Sequence, residues 1–340
     1  MVRHLPIADL VRMLVVCKTF RTLATKAIHR KVHGKLQEWI GEKSTPREFL
    51  DLLKVSFFMF LFSLTHVFYS YKEHGGVVTG DPLLSLLFDW EFGHNWNWDT
   101  DLIIFVPKGH GAQFADDLQT LIGGDLPYVP FRESYGGYGI ARENVQTMWH
   151  KDTAHEFYII ESKDESALLS IPTFHNTLAM NFLAFDHICV AYPKLTLQGI
   201  GCMHPKYFSN PFRLISQNSA YEASGFRVRY PMQPDGAQLS RGKIPSTCPV
   251  TPSLEDLSGH GLYTCPQLTR EFYDKYCMIL PFNGISFVYP NFTCKWELGG
   301  IRCGGTCYRC GWNTGIGSGK GHLEGSVKCN RGHRRDTITP

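Results

Sequence analysis

Apolar and polar positions along the chain change period several times. From Leu5 to Ile28 the run LPIADLVRMLVVCKTFRTLATKAI carries apolar residues at Leu10, Leu14, Val16 or Cys17, Phe20 and Leu23, close to helical spacing, with Asp9 as N-cap. HRKVHGKLQEWIG continues as a basic helix ending at Gly41. STPREFLDLL then offers Ser44 or Thr45 as a cap, Pro46 at the first helical position and Glu48 soon after. Further on, GGVVTGDPLLSLLF reads as a short strand, a glycine turn and the start of a helix. DLIIFVP reads as a strand, and GAQFADDLQTLIGG as a helix closed by glycines. EFYIIES and ALLSIP read as two strands joined by the charged turn KDES. TFHNTLAMNFLAFDHICVAYP is apolar nearly all round and predicts one long core helix, capped near Thr173 or Asn176 and stopped before Pro193. After residue 200, Gly, Pro, Ser and Cys increase and the periodicity fades.

This alternation of strands and helices over about 75–200 predicts an α/β (α+β) domain with a mixed sheet and flanking helices. A helical N-terminus precedes it and an irregular Cys-rich tail follows. The expected organisation is 1–45 helical, 46–75 an apolar linker or helix, 76–285 the α/β domain and 286–340 the Cys/Gly-rich tail.

The apolar stretch KVSFFMFLFSLTHVFYSYK holds 17 uncharged residues between Lys54 and Lys72, the short end of what a membrane helix needs. It also carries Ser56, Ser63, Thr65 and His66. Three readings stand: a membrane span, a buried aromatic helix, or translated non-coding sequence, since KVS is what an unspliced intron start often spells. A membrane partner is not expected.

Charge adds little. Net charge is +3, so no bulk field points to nucleic acid. The basic residues Lys320, Lys328, Arg331, Arg334 and Arg335 read as a solvated end. The 11 cysteines are an odd number, and MVRHLPIADL has no continuous apolar core after its basic residue. The chain therefore reads as intracellular, cytoplasmic or nuclear, with reduced thiols, and Asn291-Phe292-Thr293 carries no glycosylation meaning.

The candidate chemistry begins at WDTDLIIFVPKGH. On a strand of period two, Asp99, Asp101, Ile103 and Phe105 share one face, and Thr100, Leu102, Ile104 and Val106 the other. Both faces are apolar from Leu102 on, so the strand is expected to be covered on both sides. The carboxylates Asp99 and Asp101 repel unless a cation, an Arg or solvent screens them, and a solvated Asp-Thr-Asp turn is the plain alternative.

VVTGDPLLSLLFDWEF, NWNWDTDLIIFVP and FADDLQTLIG together resemble the nucleotidyltransferase core: a strand, a glycine turn into a helix, then a strand bearing an acid pair. More narrowly, these segments, TFHNTLAMNFLAFDHICVAYPKLTL at 173–197 and TCPQLTREFYDKYCMILPF at 264–282 are similar, in the same order, to a group of uncharacterised fungal proteins with that core. The resemblance implies Mg²⁺ held by Asp99 and Asp101, with a third carboxylate from Glu156 or Glu161 and nucleotide phosphates at the Gly80-Asp81 turn. Two departures matter. Asp81 stands where the family has Ser, placing negative charge where a phosphate oxygen would rest. Aligning IFVP puts the family's pair on Asp101 and Ile103; a shift of two residues restores Asp99 and Asp101 on the same face. Both departures point to a binding or scaffolding protein on a degenerate, catalytically weak or dead core. An active Mg²⁺-dependent nucleotidyltransferase is the alternative.

LPIADLVRMLVVCKTFRTLA also resembles the latter half of an F-box. That resemblance implies a Skp-type adaptor as partner and a role as substrate receptor of a cullin ubiquitin ligase. A simple helical hairpin packed on the core is the alternative. In the tail, Cys303, Cys307 and Cys310, with Cys294 or Cys329 as a fourth ligand, form a candidate zinc set, and His322 and His333 lie beyond. Buried or surface thiols are the plainer reading. His175 and Asn176 read as cap or core polar groups. GIGSGKGH lacks P-loop spacing and reads as a loop.

Overall fold

The computed structural model describes residues 4–14, 16–55, 75–88, 102–122, 129–130, 142–149, 156–203, 219, 221–229, 270–282, 292–296 and 327–331. Three helices come first: α1 (Ile7–Met13), α2 (Lys18–Ile40) and α3 (Pro46–Val55). Then follow β1 (Val77–Thr79), α4 (Asp81–Phe88), β2 (Leu102–Val106), α5 (Gly111–Ile122), β3 (Val129–Pro130), β4 (Arg142–Trp149) and β5 (Glu156–Ser162). Two 3-10 helices (Ala167–Thr173 and Thr177–Ala179) lead into β6 (Asn181–Leu183), β7 (His187–Val190), α6 (Pro193–Thr196) and β8 (Ile200–Cys202). The described chain ends with β9 (Arg227–Arg229), β10 (Arg270–Glu271), β11 (Met278–Pro281), β12 (Phe292–Trp296) and β13 (Val327–Arg331).

The molecule is mixed α/β, as its alternating pattern predicts. Its main sheet has eight strands in the order β11-β7-β6-β1-β2-β5-β4-β3. Neighbours are antiparallel except β2 and β5, which are parallel, with α5, β3 and β4 between them in the chain. Every residue of β2 is buried. Leu102, Ile104 and Val106 pack with Phe157, Ile159, Leu183 and helices α1–α5 on one face. Ile103 and Phe105 pack with Tyr158, Ile160, Phe182 and the 3-10 segments on the other. Each such side chain, fully buried, contributes about 1.5–3 kcal/mol, and two covered faces explain why this strand shows no alternation.

The start of α3 follows its sequence closely. The Thr45 N–H donates to Glu48 Oε2 at 2.8 Å, and the Glu48 N–H donates back to Thr45 Oγ1 at 3.3 Å. This reciprocal box satisfies two helix-end donors. The same N–H donation and the Thr45 hydroxyl hold the Glu48 carboxyl below its ordinary pKa. α2 ends at Ile40 before Gly41, whose φ of 73° favours glycine.

Other expectations are corrected. The first helix breaks between α1 and α2, and Asp9 is not its N-cap; it lies in the first turn, paired with Arg12 at 2.7 Å. The break changes the buried seam. α2 buries Ala24, Ala27, Ile28, Val32, Leu36, Trp39 and Ile40, whereas Val16, Phe20 and Leu23 are exposed by 64%, 42% and 43%. ALLSIP is a 3-10 helix rather than a strand, begun by Ser166, whose side chain accepts from the Leu168 N–H. The long core helix over 173–193 is instead a 3-10 turn and the hairpin β6–β7. Its strands are buried on both faces, so they read as continuously apolar, and Asn176, Asn181 and Asp186 spend their side chains on local backbone and turn bonds. The tail is not wholly irregular: β10, β12 and β13 form a three-stranded sheet, and Cys294 and Trp296 are 1% exposed against the second face of the main sheet.

Candidate functional site

The sheet register decides which candidate residues meet. Thr79 of β1 lies opposite Ile103 of β2, and Leu102 of β2 lies beside Phe157 of β5. The end of β1, the start of β2 and the start of β5 therefore share one end of the sheet. Gly80 follows Thr79 there with φ 85°, and a Cβ on it would sit 3.1 Å from Ile103 Cδ1. That turn needs glycine both for its dihedral angle and for its approach to β2. Glu156, the first residue of β5, stands at the same end, one position beyond the Leu102–Phe157 pair.

Asp81 opens α4, and its carboxylate at the helix N-terminus complements the peptide dipoles. Its Oδ1 accepts from the Tyr221 hydroxyl at 2.5 Å. Tyr221 is 3% exposed and packs beside His175, with ring centroids 5.6 Å apart. Burial lowers the His175 pKa to about 4, so its imidazole is neutral at pH 7. The phosphate position expected at Gly80-Asp81 thus holds a carboxylate and a phenol. Tyr221 was not legible as a partner, because it lies 140 residues from Asp81.

The two choices for a third acid separate. Glu161 lies at the opposite end of β5, beside Val106, where its Oε1 accepts from the Gly109 N–H at 2.6 Å. It fastens the turn before α5. Glu156 is at the end shared with Gly80, where its carboxylate accepts from the Tyr158 hydroxyl. Asp99 and Asp101 lie outside the described residues, as do Cys303, Cys307, Cys310, His322 and His333. Among the described residues no group of three or more His, Cys, Asp or Glu is arranged to hold a metal ion. Glu156 is the one candidate Mg²⁺ carboxylate that the described residues supply at this end of the sheet.

The segment 173–197 supplies a buried polar frame next to this end. Asn176 Oδ1 accepts from the Leu178 and Ala179 N–H groups at 2.8 and 3.3 Å, the capping role expected of it. Asn181 donates to Leu178 O at 2.6 Å and accepts from the Ala191 N–H at 3.2 Å. Thr79 donates its hydroxyl to Asn181 O, which ties β1 to β6. Thr177 Oγ1 accepts from the Cys202 N–H at 2.9 Å. These hydrogen bonds among buried groups fix one chain path, although the Asn176 amide nitrogen is buried without a partner among the described residues.

The segment 264–282 carries two further clusters. Arg270 is 1% exposed and donates to Asp274 through Nε at 2.6 Å and Nη2 at 3.1 Å, and to Ala191 O at 2.8 Å. Its guanidinium lies 4.7 Å from the Tyr192 ring centroid and 5.7 Å from that of Trp296. Burial alone would lower the Arg270 pKa, but the Asp274 hydrogen bond reverses the direction and the pKa rises. Burial pushes the Tyr192 hydroxyl up to about 12, against the pull of Arg270. Cys277 Sγ lies 3.6 Å from Arg270 Nη2. In the second cluster Asp186 Oδ1 lies 2.6 Å from His187 Nδ1, and His187 Nε2 lies 3.3 Å from the Tyr273 hydroxyl. Tyr273 has φ 69°, a conformation that costs a non-glycine residue about 1–3 kcal/mol. The Asp274 carboxylate supports it by accepting from the Tyr276 and Cys277 N–H groups at 2.8 and 3.0 Å. Burial raises the Tyr273 pKa.

An Asp–His–hydroxyl chain has the form of a nucleophile-activating relay. Here Asp186 and His187 are 3% and 4% exposed, which closes the imidazole to substrate. His187 also begins β7, at the end of the β6–β7 hairpin opposite Asn181 and hence away from Gly80. Sequence reading missed this relay, although its adjacent Asp-His pair was a signal. Both clusters fasten the 270–277 turn to β7, and the Arg, Asp and Cys of the 264–282 resemblance act in that frame.

Comparison with family models, with curated proteins and with solved structures finds no match.

Proposed function

We propose that the chain is a binding or scaffolding protein on a degenerate nucleotidyltransferase-like fold. The order β1, glycine turn, α4, β2, α5, β5 supports the ancestry, as does the register that gathers Gly80, Leu102 and Glu156 at one end of the sheet. The Tyr221–Asp81 bond carries the degenerate reading. It sets a buried phenol and a carboxylate where the transferase reading needs the α4 amides open to a triphosphate. Thermal unfolding of the full chain with and without ATP or GTP and Mg²⁺ tests this reading, which expects no shift. Stabilisation that needs nucleotide and metal together, and disappears in Asp99→Ala or Asp101→Ala, would establish the active transferase instead.

A second reading rests on the N-terminus. Val16, Phe20 and Leu23 are the exposed large hydrophobics among the described residues, and they stand on the segment that resembles an F-box. A Skp-type adaptor of a cullin ligase is the partner this implies. Immobilised full-length chain should retain purified adaptor, and Phe20→Asp with Leu23→Asp should release it. No retention by the parent chain rejects the adaptor role and leaves the scaffold reading untouched.

A further inference from the structure

Two free thiols meet where the 270–277 turn runs into β11. Cys189 of β7 lies opposite Ile279 of β11, and Cys277 stands two residues before Ile279. A period of two puts all three on one face. Their packing agrees: Cys189, Cys277 and Ile279 belong to the second apolar cluster, and Met278 packs against the first. The Cys189 and Cys277 thiols are hydrogen-bonded to each other. Burial holds the Cys189 pKa well above its ordinary value, so Cys189 keeps its hydrogen and donates it to the Cys277 sulfur. Cys277 in turn donates to Glu271 O at 3.6 Å.

The Cys277 sulfur also lies 3.6 Å from Arg270 Nη2. Asp274 and Ala191 O take up Nε and Nη2 of that guanidinium. Nη1 is buried and has no hydrogen-bond partner among the described residues. A buried charged donor left unmet is costly, so the site has room in its bonding for one more acceptor oxygen beside the sulfur. Access differs between the two thiols. Cys189 is buried, whereas Cys277 is partly exposed and open to a small solute.

We infer that Cys277 is a site of oxidation by hydrogen peroxide, with Arg270 Nη1 holding the oxygen that the sulfur gains. The sulfur attacks one peroxide oxygen and the O–O bond breaks. Cys277 becomes a sulfenic acid, and the second oxygen leaves as water with the thiol hydrogen. Sulfur gives up two electrons and the peroxide takes them. Reaction with Cys189 is the same oxidation carried one step further: an S–S bond forms, the S–O bond breaks, and the oxygen leaves as water with the Cys189 hydrogen.

The test treats reduced full-length chain with hydrogen peroxide in the presence of dimedone, which traps sulfenic acid. The chain is then denatured, capped with N-ethylmaleimide, digested with trypsin and mapped by fragment mass spectra. Cys277 falls in Tyr276–Lys295 with Cys294, which the fragments separate, and Cys189 falls in Asp164–Lys194. The expected result is dimedone on Cys277, or a Cys189–Cys277 link, formed several-fold faster in the folded chain than in urea. In Cys189→Ala the link disappears and dimedone on Cys277 remains. Arg270→Met should lose the advantage of the folded chain, and the parent comparison decides the matter even where that variant fails to fold. Three results overturn the proposal: Cys277 oxidised no faster folded than in urea, Cys277 left as a free thiol while other cysteines carry dimedone, or a folded Arg270→Met that keeps the parent's rate.

Discussion

Tyr221 donates its hydroxyl to Asp81 Oδ1 at 2.5 Å, joining residues 140 positions apart. The bond fixes the segment after β8 against the N-terminus of α4, beside the Gly80 turn. Hydrogen bonds to charged groups contribute about 1.5–3 kcal/mol. Tyr221→Phe keeps the ring packing and removes the donor, so it should lower unfolding free energy by about 1.5 kcal/mol in urea titration. A loss below about 0.5 kcal/mol would show that solvent serves Asp81 equally well.

His175 makes stability depend on pH. Its folded pKa, about 4, lies below the ordinary 6.5, because burial disfavours the charged ring. Above pH 6.5 the ring is neutral folded or unfolded, and its full contribution is present. Between pH 6.5 and 4 the unfolded chain takes up a proton that the folded one refuses, and stability falls. Below pH 4 both forms are charged. The shift sets an upper bound of about 3 kcal/mol on that loss. His175→Gln should flatten the stability profile across this window; parallel profiles for parent and variant would remove His175 as the cause.

Arg270 and Asp274 form a pair of unequal burial, with side chains 1% and 14% exposed. Breaking a buried pair costs about 3–5 kcal/mol, because the remaining charge is stranded. The asymmetry predicts an order. Asp274→Asn leaves a guanidinium enclosed by Tyr192, Tyr276 and Trp296 without its counter-charge, and should cost more. Arg270→Met leaves a carboxylate that still accepts from the Tyr276 and Cys277 N–H groups, and should cost less. The double variant should lose less than the sum of the two. A cycle with no coupling energy in urea would show that the pair is not a unit.

What the sequence made legible was local or two-faced in a recognisable way. Thr45 and Glu48 lie three residues apart, so their box can be read directly. The run Leu102–Val106 is short enough to be a strand covered on both sides. Phe182–Val190 has the same apolar character, but its turn at Asp186 lacks Gly or Pro, and it read as one helix. The Glu156–Gly80 neighbourhood follows from parallel pairing of β2 with β5, and choosing Glu156 over Glu161 needed that register. Tyr221 and Arg270 act across 140 and 79 residues, distances over which no periodicity carries information.

The apolar stretch after α3 can be judged from its ends. Its residues 56–74 lie outside the described structure, but Leu53 and Gly76 lie within it. The Gly76 N–H donates to Leu53 O at 2.9 Å, so the chain returns to the point it left. A Cβ on Gly75 would stand 2.9 Å from that same oxygen, which explains the glycine. Deleting residues 55–74 would leave Leu53-Lys54-Gly75-Gly76. In that tetrapeptide the existing bond becomes the i to i+3 bond of a β-turn, with glycine at the third position. The deletion takes Val55 from the end of α3 and keeps the bond that holds Leu53 to the start of β1. The deletion variant should fold with a melting temperature equal to or above that of the parent, because loop closure carries an entropic cost. It should also aggregate less, having shed 17 consecutive uncharged residues. Calorimetry and light scattering on the two chains decide it. A melting temperature lower by more than about 5 °C, roughly 3 kcal/mol at about 2.1 cal/mol/K per residue, would mean that the stretch packs into the fold and is native to it.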